Sequence, residues 1–147
     1  MTLLISIKTL KDFYLVDDNL EDKYLLSNII KGQDFIIRPL IGEDKYDELV
    51  GQIETDSLTG DNKYLLDLIE KPLAYYVMSE VMYSSAYKFK NQGLEEGANS
   101  SRFSELVSIS KKYALDSQHY AQILGDYFSA SCTSTTSKVY KSGLYLG

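Results

Sequence analysis

At 147 residues and 16.7 kDa, the chain has the size of one compact domain, long enough to bury roughly 70% of its unfolded surface. Its 15 Lys and Arg stand against 21 Asp and Glu, for a formal charge of -6 and a pI near 4.7, which argues against a broad phosphate-binding surface and against nucleic acid as a specifically bound partner. The single cysteine, Cys132, cannot form an internal disulfide and has no Cys or His neighbour at metal-ligand spacing, so a reducing, intracellular setting is expected. The start of the sequence, Met1 to Ile7, carries too short an apolar run for a signal peptide or a membrane span.

Taken in chain order, the sequence predicts an all-α fold, a four- or five-helix bundle-like domain over residues 1–128 with a linker and extended C-terminal arm over 129–147. A short first helix is expected around Ser6 to Tyr14. The acidic cluster Asp17, Asp18, Glu21 and Asp22 then precedes Tyr24-Leu25-Leu26, Ile29-Ile30 and Phe35-Ile36-Ile37, the arrangement that a helix amino terminus favours. Pro39 should end or kink this helix near Ile37, and Gly42 permits a sharp corner before a new helix begins at Glu43. Residues 54–62 carry loop chemistry.

From Tyr64 to Lys90 the apolar residues occupy more than one face, marking a central helix, with a break expected at Glu70–Lys71 ahead of Pro72. Asn91 to Ser101 reads as a polar loop. The final helix has the clearest pattern: Phe103, Leu106, Ser110, Tyr113, Ser117, Tyr120, Leu124 and Tyr127 recur every three or four residues, with Val107, Ala114, Ala121 and Phe128 widening the stripe. Ser129 to Ser137 is a run of small residues. Beyond it, Val139 to Leu146 has the aromatic and aliphatic content of a short strand. Val139, Tyr140, Leu144, Tyr145 and Leu146 are therefore the candidate residues for docking on a neighbouring subunit.

No catalytic centre, cofactor site or metal site is legible. His119, with Asp116 one turn earlier, lacks a nucleophile at triad spacing and reads as a surface or packing residue. A calcium loop counted from Asp18 would need glycine at its sixth position and glutamate at its twelfth, where Ile29 stands. Glu43, Asp44, Asp47 and Glu48 fall in the first turns of a predicted helix, where negative charge is stabilised without any chemical role. Gly93, Gly97 and Gly125 form no phosphate-binding fingerprint. Thirteen tyrosines without a tryptophan suit surfaces buried partly within a subunit and partly between subunits.

The element order, together with Pro39-Leu-Ile-Gly-Glu-Asp-Lys-Tyr-Asp-Glu-Leu49, resembles the small helical head-tail connector proteins of tailed bacteriophages, in particular ring or adaptor proteins of phages infecting gut Bacteroidetes. The resemblance covers roughly Leu10 to Phe128 and leaves the arm outside it. It implies a structural, non-enzymatic virion protein at the head-tail junction, assembled in the host cytoplasm, without cofactor or membrane. Its expected partners are itself, in a twelvefold ring, the portal protein, and adjacent tail or ring proteins, with DNA passing through unbound. The alternatives are a helical regulatory module that binds a partner peptide in an interhelical groove, and an enzyme of unfamiliar type built around His119 or the acidic clusters.

Overall fold

The protein is seen in a computed structural model that describes residues 2–14, 19–91 and 98–132. These residues form an all-α, bundle-like domain of five helical rods, with no strand among them. The first is α1 (Ile7–Phe13), started by Ser6, whose Oγ accepts the Thr9 backbone N–H at 3.0 Å. The second rod is continuous through α2 (Asp22–Gly32), a π-helical turn (Gln33–Ile37) and α3 (Arg38–Ile41). Lys11 joins its first turn to α1 through an ion pair with Asp22 at 2.9 Å. Asp17 and Asp18 lie outside the described residues.

The helix that Pro39 was expected to end or kink near Ile37 runs on to Ile41 with a π turn at that place, and the π turn explains how. A regular α-helix would press the Pro39 ring against the carbonyl one turn earlier, whereas the wider turn relaxes that approach. The Arg38 N–H accordingly reaches back to the Gln33 carbonyl, five residues away. The corner then comes at Gly42, at φ +88° and ψ 156°, a backbone region essentially reserved for glycine. Beyond it α4 (Glu43–Glu54) begins with Glu43 and Asp44 in its first turn.

α5 (Gly60–Asn91) starts inside the stretch 54–62 that reads as loop in the sequence. Thr59 caps it by accepting the Asn62 N–H at 3.2 Å through its hydroxyl. The helix runs unbroken through Pro72, so the expected interruption at Glu70–Lys71 does not occur. An interior proline costs about 3 kcal/mol in an isolated helix. Here Leu65 and Ile69 before it, and Leu73, Ala74 and Val77 after it, are fully buried or nearly so, and burial of each large side chain is worth roughly 1.5–3 kcal/mol. Packing on both sides of the proline therefore outweighs the local penalty.

α6 (Ala98–Cys132) lies antiparallel to α5, the two forming a long hairpin. Every member of the stripe from Phe103 to Phe128 is buried or half-buried, as the spacing requires. Two of its small polar members, Ser110 and Ser117, are buried because their hydroxyls donate to backbone carbonyls of α5, Ser79 at 3.0 Å and Pro72 at 2.7 Å. α6 also continues through Ser129 to Cys132, past the point where the run of small residues suggested a linker. Extending a helix already packed from Phe103 to Phe128 requires only propagation, not a new nucleus.

The core lies where the second rod meets this hairpin. Gly32 permits the closest approach: a Cβ there would sit 2.6 Å from Leu73 Cδ1 and 2.9 Å from Tyr76 Cδ2. Leu25, Ile29, Ile37, Ile41 and Leu49 pack with Ile69, Leu73, Val77 and Leu124 to form one contiguous cluster.

Candidate interaction surfaces

Tyrosine organises the edge of the hairpin. Tyr75 on α5 lies parallel to Tyr120 of α6 (ring centroids 5.7 Å apart, 9° between planes) and near-parallel to Tyr113 (6.0 Å, 28°). Tyr14, at the end of α1, meets Tyr75 edge-on at 5.7 Å. Its hydroxyl donates to Glu70 at 2.8 Å, and partial burial followed by this bond pushes the phenol well above its usual pKa, so it is neutral at every physiological pH. Lys71 sits over the Tyr120 ring at 5.1 Å. At one end of the hairpin Tyr64 meets Tyr127 at 5.3 Å; towards the other, Tyr87 packs between Tyr83 (4.9 Å) and Phe103 (5.7 Å). The result is an aromatic edge along most of two long helices, half-open to solvent.

Further large apolar groups project from the described residues. Phe13 is 78% exposed, Phe35 68% and Leu115 65%. Phe35 was counted in the sequence among the apolar residues of its helix, but the π turn changes the angular progression of side chains and Phe35 faces outward while Ile37 is fully buried. Leu115, like the less exposed Ile109 and Ile123, could have been found from sequence as a large aliphatic residue lying off the stripe of α6.

The corner is polar and interlocked. Arg38 pairs with Glu43 at 2.6 Å and with Asp34 at 3.3 Å, and its guanidinium lies 4.2 Å above the Tyr46 ring. The Tyr46 hydroxyl accepts from buried Gln33 Nε2 at 2.9 Å, which also donates to the Thr2 carbonyl at 3.1 Å, while Gln33 Oε1 accepts the Leu4 N–H at 2.6 Å. Gln33 thus fastens the start of the chain to the corner. Asn62, also buried, donates to Glu48 at 2.7 Å and Gln52 at 2.9 Å and accepts from Lys45 at 3.3 Å, closing α4 onto the start of α5. The Asn62 bond, and then the Lys45 ammonium, hold the Glu48 carboxyl below the usual carboxylate range.

Recesses among the described residues include one at the corner and one beside α2. One, of about 390 Å³, lies at the corner, where Ile41 and Gly42 meet Phe128 near the end of α6 and Glu43, Asp44, Lys45 and Glu48 stand around them. The other, of about 370 Å³, lies between the start of α2 and α5 and is lined by Leu20, Glu21, Tyr24, Ser84, Ser85 and Lys88.

The structure distributes the residues singled out in the sequence. His119 is exposed and rests edge-on against Tyr120 at 5.2 Å. Glu43 and Glu48 serve the corner contacts just given. Among the described residues no three His, Cys, Asp or Glu side chains converge as a metal site would require, and no helix is long and apolar enough to cross a membrane. Val139, Tyr140, Leu144, Tyr145 and Leu146 lie outside the described residues, as does most of the glycine-containing loop from Gln92 to Ser100.

Residues 37–130 match the model of a family of unknown function, DUF6712, so the match begins at the corner and runs to the end of the hairpin. No curated protein and no solved structure matches the chain.

Proposed function

The chain belongs to the DUF6712 family of unknown function, and we propose that it is a structural virion protein, a subunit of a head-tail connector ring beneath the portal that joins capsid to tail. The observation that carries this reading is the aromatic edge of the α5–α6 hairpin, with Phe13, Phe35 and Leu115 projecting elsewhere on the same subunit. A ring needs two different faces on each subunit, because only a head-to-tail contact closes into a cycle. Tyrosines suit such faces, since they stay soluble through the hydroxyl and bury a large ring on contact. The resemblance of Pro39 to Leu49 and of the element order to phage connector proteins supplies the particular kind of assembly. The net charge of -6 agrees with a conduit that DNA crosses without adhering.

In this reading the protein performs no chemistry. Its partners are further copies of itself in a twelvefold ring, the portal, and adjacent tail or ring proteins, and the residues Val139, Tyr140, Leu144, Tyr145 and Leu146 dock on a neighbour. The test is the mass of the full chain and of a chain ending at Cys132, alone and with the candidate portal, by light scattering or native mass spectrometry. Cys132 is the right terminus because α6 extends to it. The expected result is rings or portal complexes from the full chain and their loss on shortening. Monomers of both that ignore the portal would overturn the reading and favour instead a regulatory module using the recess beside Tyr24, Ser84 and Lys88 as a peptide groove.

A further inference from the structure

We infer that the corner recess of one subunit is the seat of residues 133–147 of the next copy. The inference deepens the assembly reading and rests on it, by naming the surface that receives the C-terminal segment.

Place, charge and apolar content support the pairing. Phe128, which lines the recess, stands four residues before the end of α6, about 6 Å of helix, so the segment leaves the domain beside an acidic corner. The α6 helix packs there against α3, close enough that a Cβ on Gly125 would lie 3.3 Å from Leu40. Around the apolar floor of Ile41 and Phe128 stand Glu43, Asp44 and Glu48 against one cation among the described residues, Lys45. Residues 133–147 carry the opposite balance, with Lys138 and Lys141 and no acidic side chain. They also carry Val139, Tyr140, Leu144, Tyr145 and Leu146 to cover an apolar floor. Among the described residues, the second recess is lined by one acid, Glu21, and one base, Lys88.

The neighbour is favoured over the subunit's own corner by the chain between. Thr133-Ser-Thr-Thr-Ser137 contains no glycine or proline to reverse direction, and its threonines are β-branched residues that favour extended backbone. Six residues from Cys132 to Lys138 reach at most about 20 Å when extended. Repeated around a closed ring, each corner receives one segment and each subunit gives one, the head-to-tail arrangement that cyclic symmetry requires.

A zero-length carbodiimide, which condenses a lysine amine with a touching carboxylate to form an amide, tests this on the full chain. An equal mixture of unlabelled and ¹⁵N-labelled protein, assembled and then cross-linked, is digested and read by mass spectrometry. The expected products join Lys138 or Lys141 to Asp44 or Glu48, with mixed-isotope pairs showing that the partners come from different copies. Links confined to one chain, or links from these lysines to other carboxylates, would overturn the inference. Solution mass on the same samples separates the two levels: rings without the predicted links sink this pairing alone, whereas monomers sink the assembly reading itself. Charge exchange provides a second readout that does not depend on a folded-core residue. Asp44→Lys or Lys141→Glu alone should weaken assembly about threefold, in line with one exposed ion pair, and the two together should restore it. No rescue would count against the pairing.

Discussion

The corner between residues 32 and 49 and the hairpin of α5 and α6 are held by different physics. At the corner, single groups act without substitutes: a glycine at φ +88°, an arginine gripping Asp34 and Glu43, and a buried glutamine with partners on two other segments. The hairpin instead repeats one kind of contact along two helices of 32 and 35 residues, apolar side chains on one face and aromatic pairs at its edge. It carries Pro72 without a break, whereas the corner rod carries Pro39 only with a π turn just before it. Precision sits in the short element and cohesion in the long ones, an arrangement suited to a subunit that must present fixed faces to its neighbours.

The largest effect is expected where the two regions touch. Leu73→Ala opens a cavity under Gly32 and should cost about 3 kcal/mol in chemical denaturation. Gly32→Ala overfills the same contact, and although alanine is the better helix former by about 1 kcal/mol, the clash should leave the variant less stable than the parent. Because the missing Leu73 Cδ1 is the atom that the new methyl would strike, the double variant should lose less than the sum of the two. Strict additivity would mean that the corner rod and the hairpin are not wedged together here.

Next in size is Gly42→Ala, which tests whether the corner rests on backbone conformation alone. A Cβ at Gly42 meets nothing within 4 Å, so no clash complicates the reading. The penalty is that of a side chain held at φ +88°, about 2 kcal/mol, visible as a lowered denaturation midpoint. Were stability unchanged, the corner would be free to turn by another route and the contrast with the hairpin would weaken. On the hairpin side, Ser117→Ala removes one hydroxyl-to-carbonyl bond to Pro72 and should cost only about 1 kcal/mol, because the surrounding apolar contacts persist.

How much of this was legible follows the same division. The stripe of α6 was readable residue by residue because spacing alone decides which side of a helix faces inward, and Ser110 and Ser117 obeyed it despite their polarity. Gly42 was readable as the corner because few residues turn that way. The unbroken passage through Pro72 was not, since it depends on Leu65 to Val77 packing against Leu25, Ile29, Ile37 and Leu124, residues far along the chain; Pro39 marked where the second rod would be disturbed, but not that a π turn would carry the helix through. The projecting Phe35 follows from the π turn and was hidden with it. The corner recess was hidden as well, for it needs Phe128 beside Ile41, a juxtaposition that no local pattern announces. The five docking residues came from composition alone, and the seat inferred for them needs Phe128 of α6 and Asp44 of α4 around one recess.

The smallest expected effect asks whether the polar contacts of the corner respond to pH as the hairpin does not. The Glu48 carboxyl is held below its ordinary range by the Asn62 amide and then by Lys45. A carboxylate with a lowered folded-state pKa stabilises the fold at pH values above its unfolded pKa, near 4.3, and that contribution is lost as pH falls through the folded value. Parent protein should therefore exceed Glu48→Gln in stability at pH 7, and the gap should close on acidification below about pH 4. Side-chain exposure of 46% at Glu48 keeps the gap small and salt-sensitive. Ser117→Ala, measured over the same range, should keep a constant difference from the parent, since neither its hydroxyl nor the Pro72 carbonyl titrates. If both differences moved together, the pH response would belong to the whole fold and the corner would lose its separate electrostatic identity.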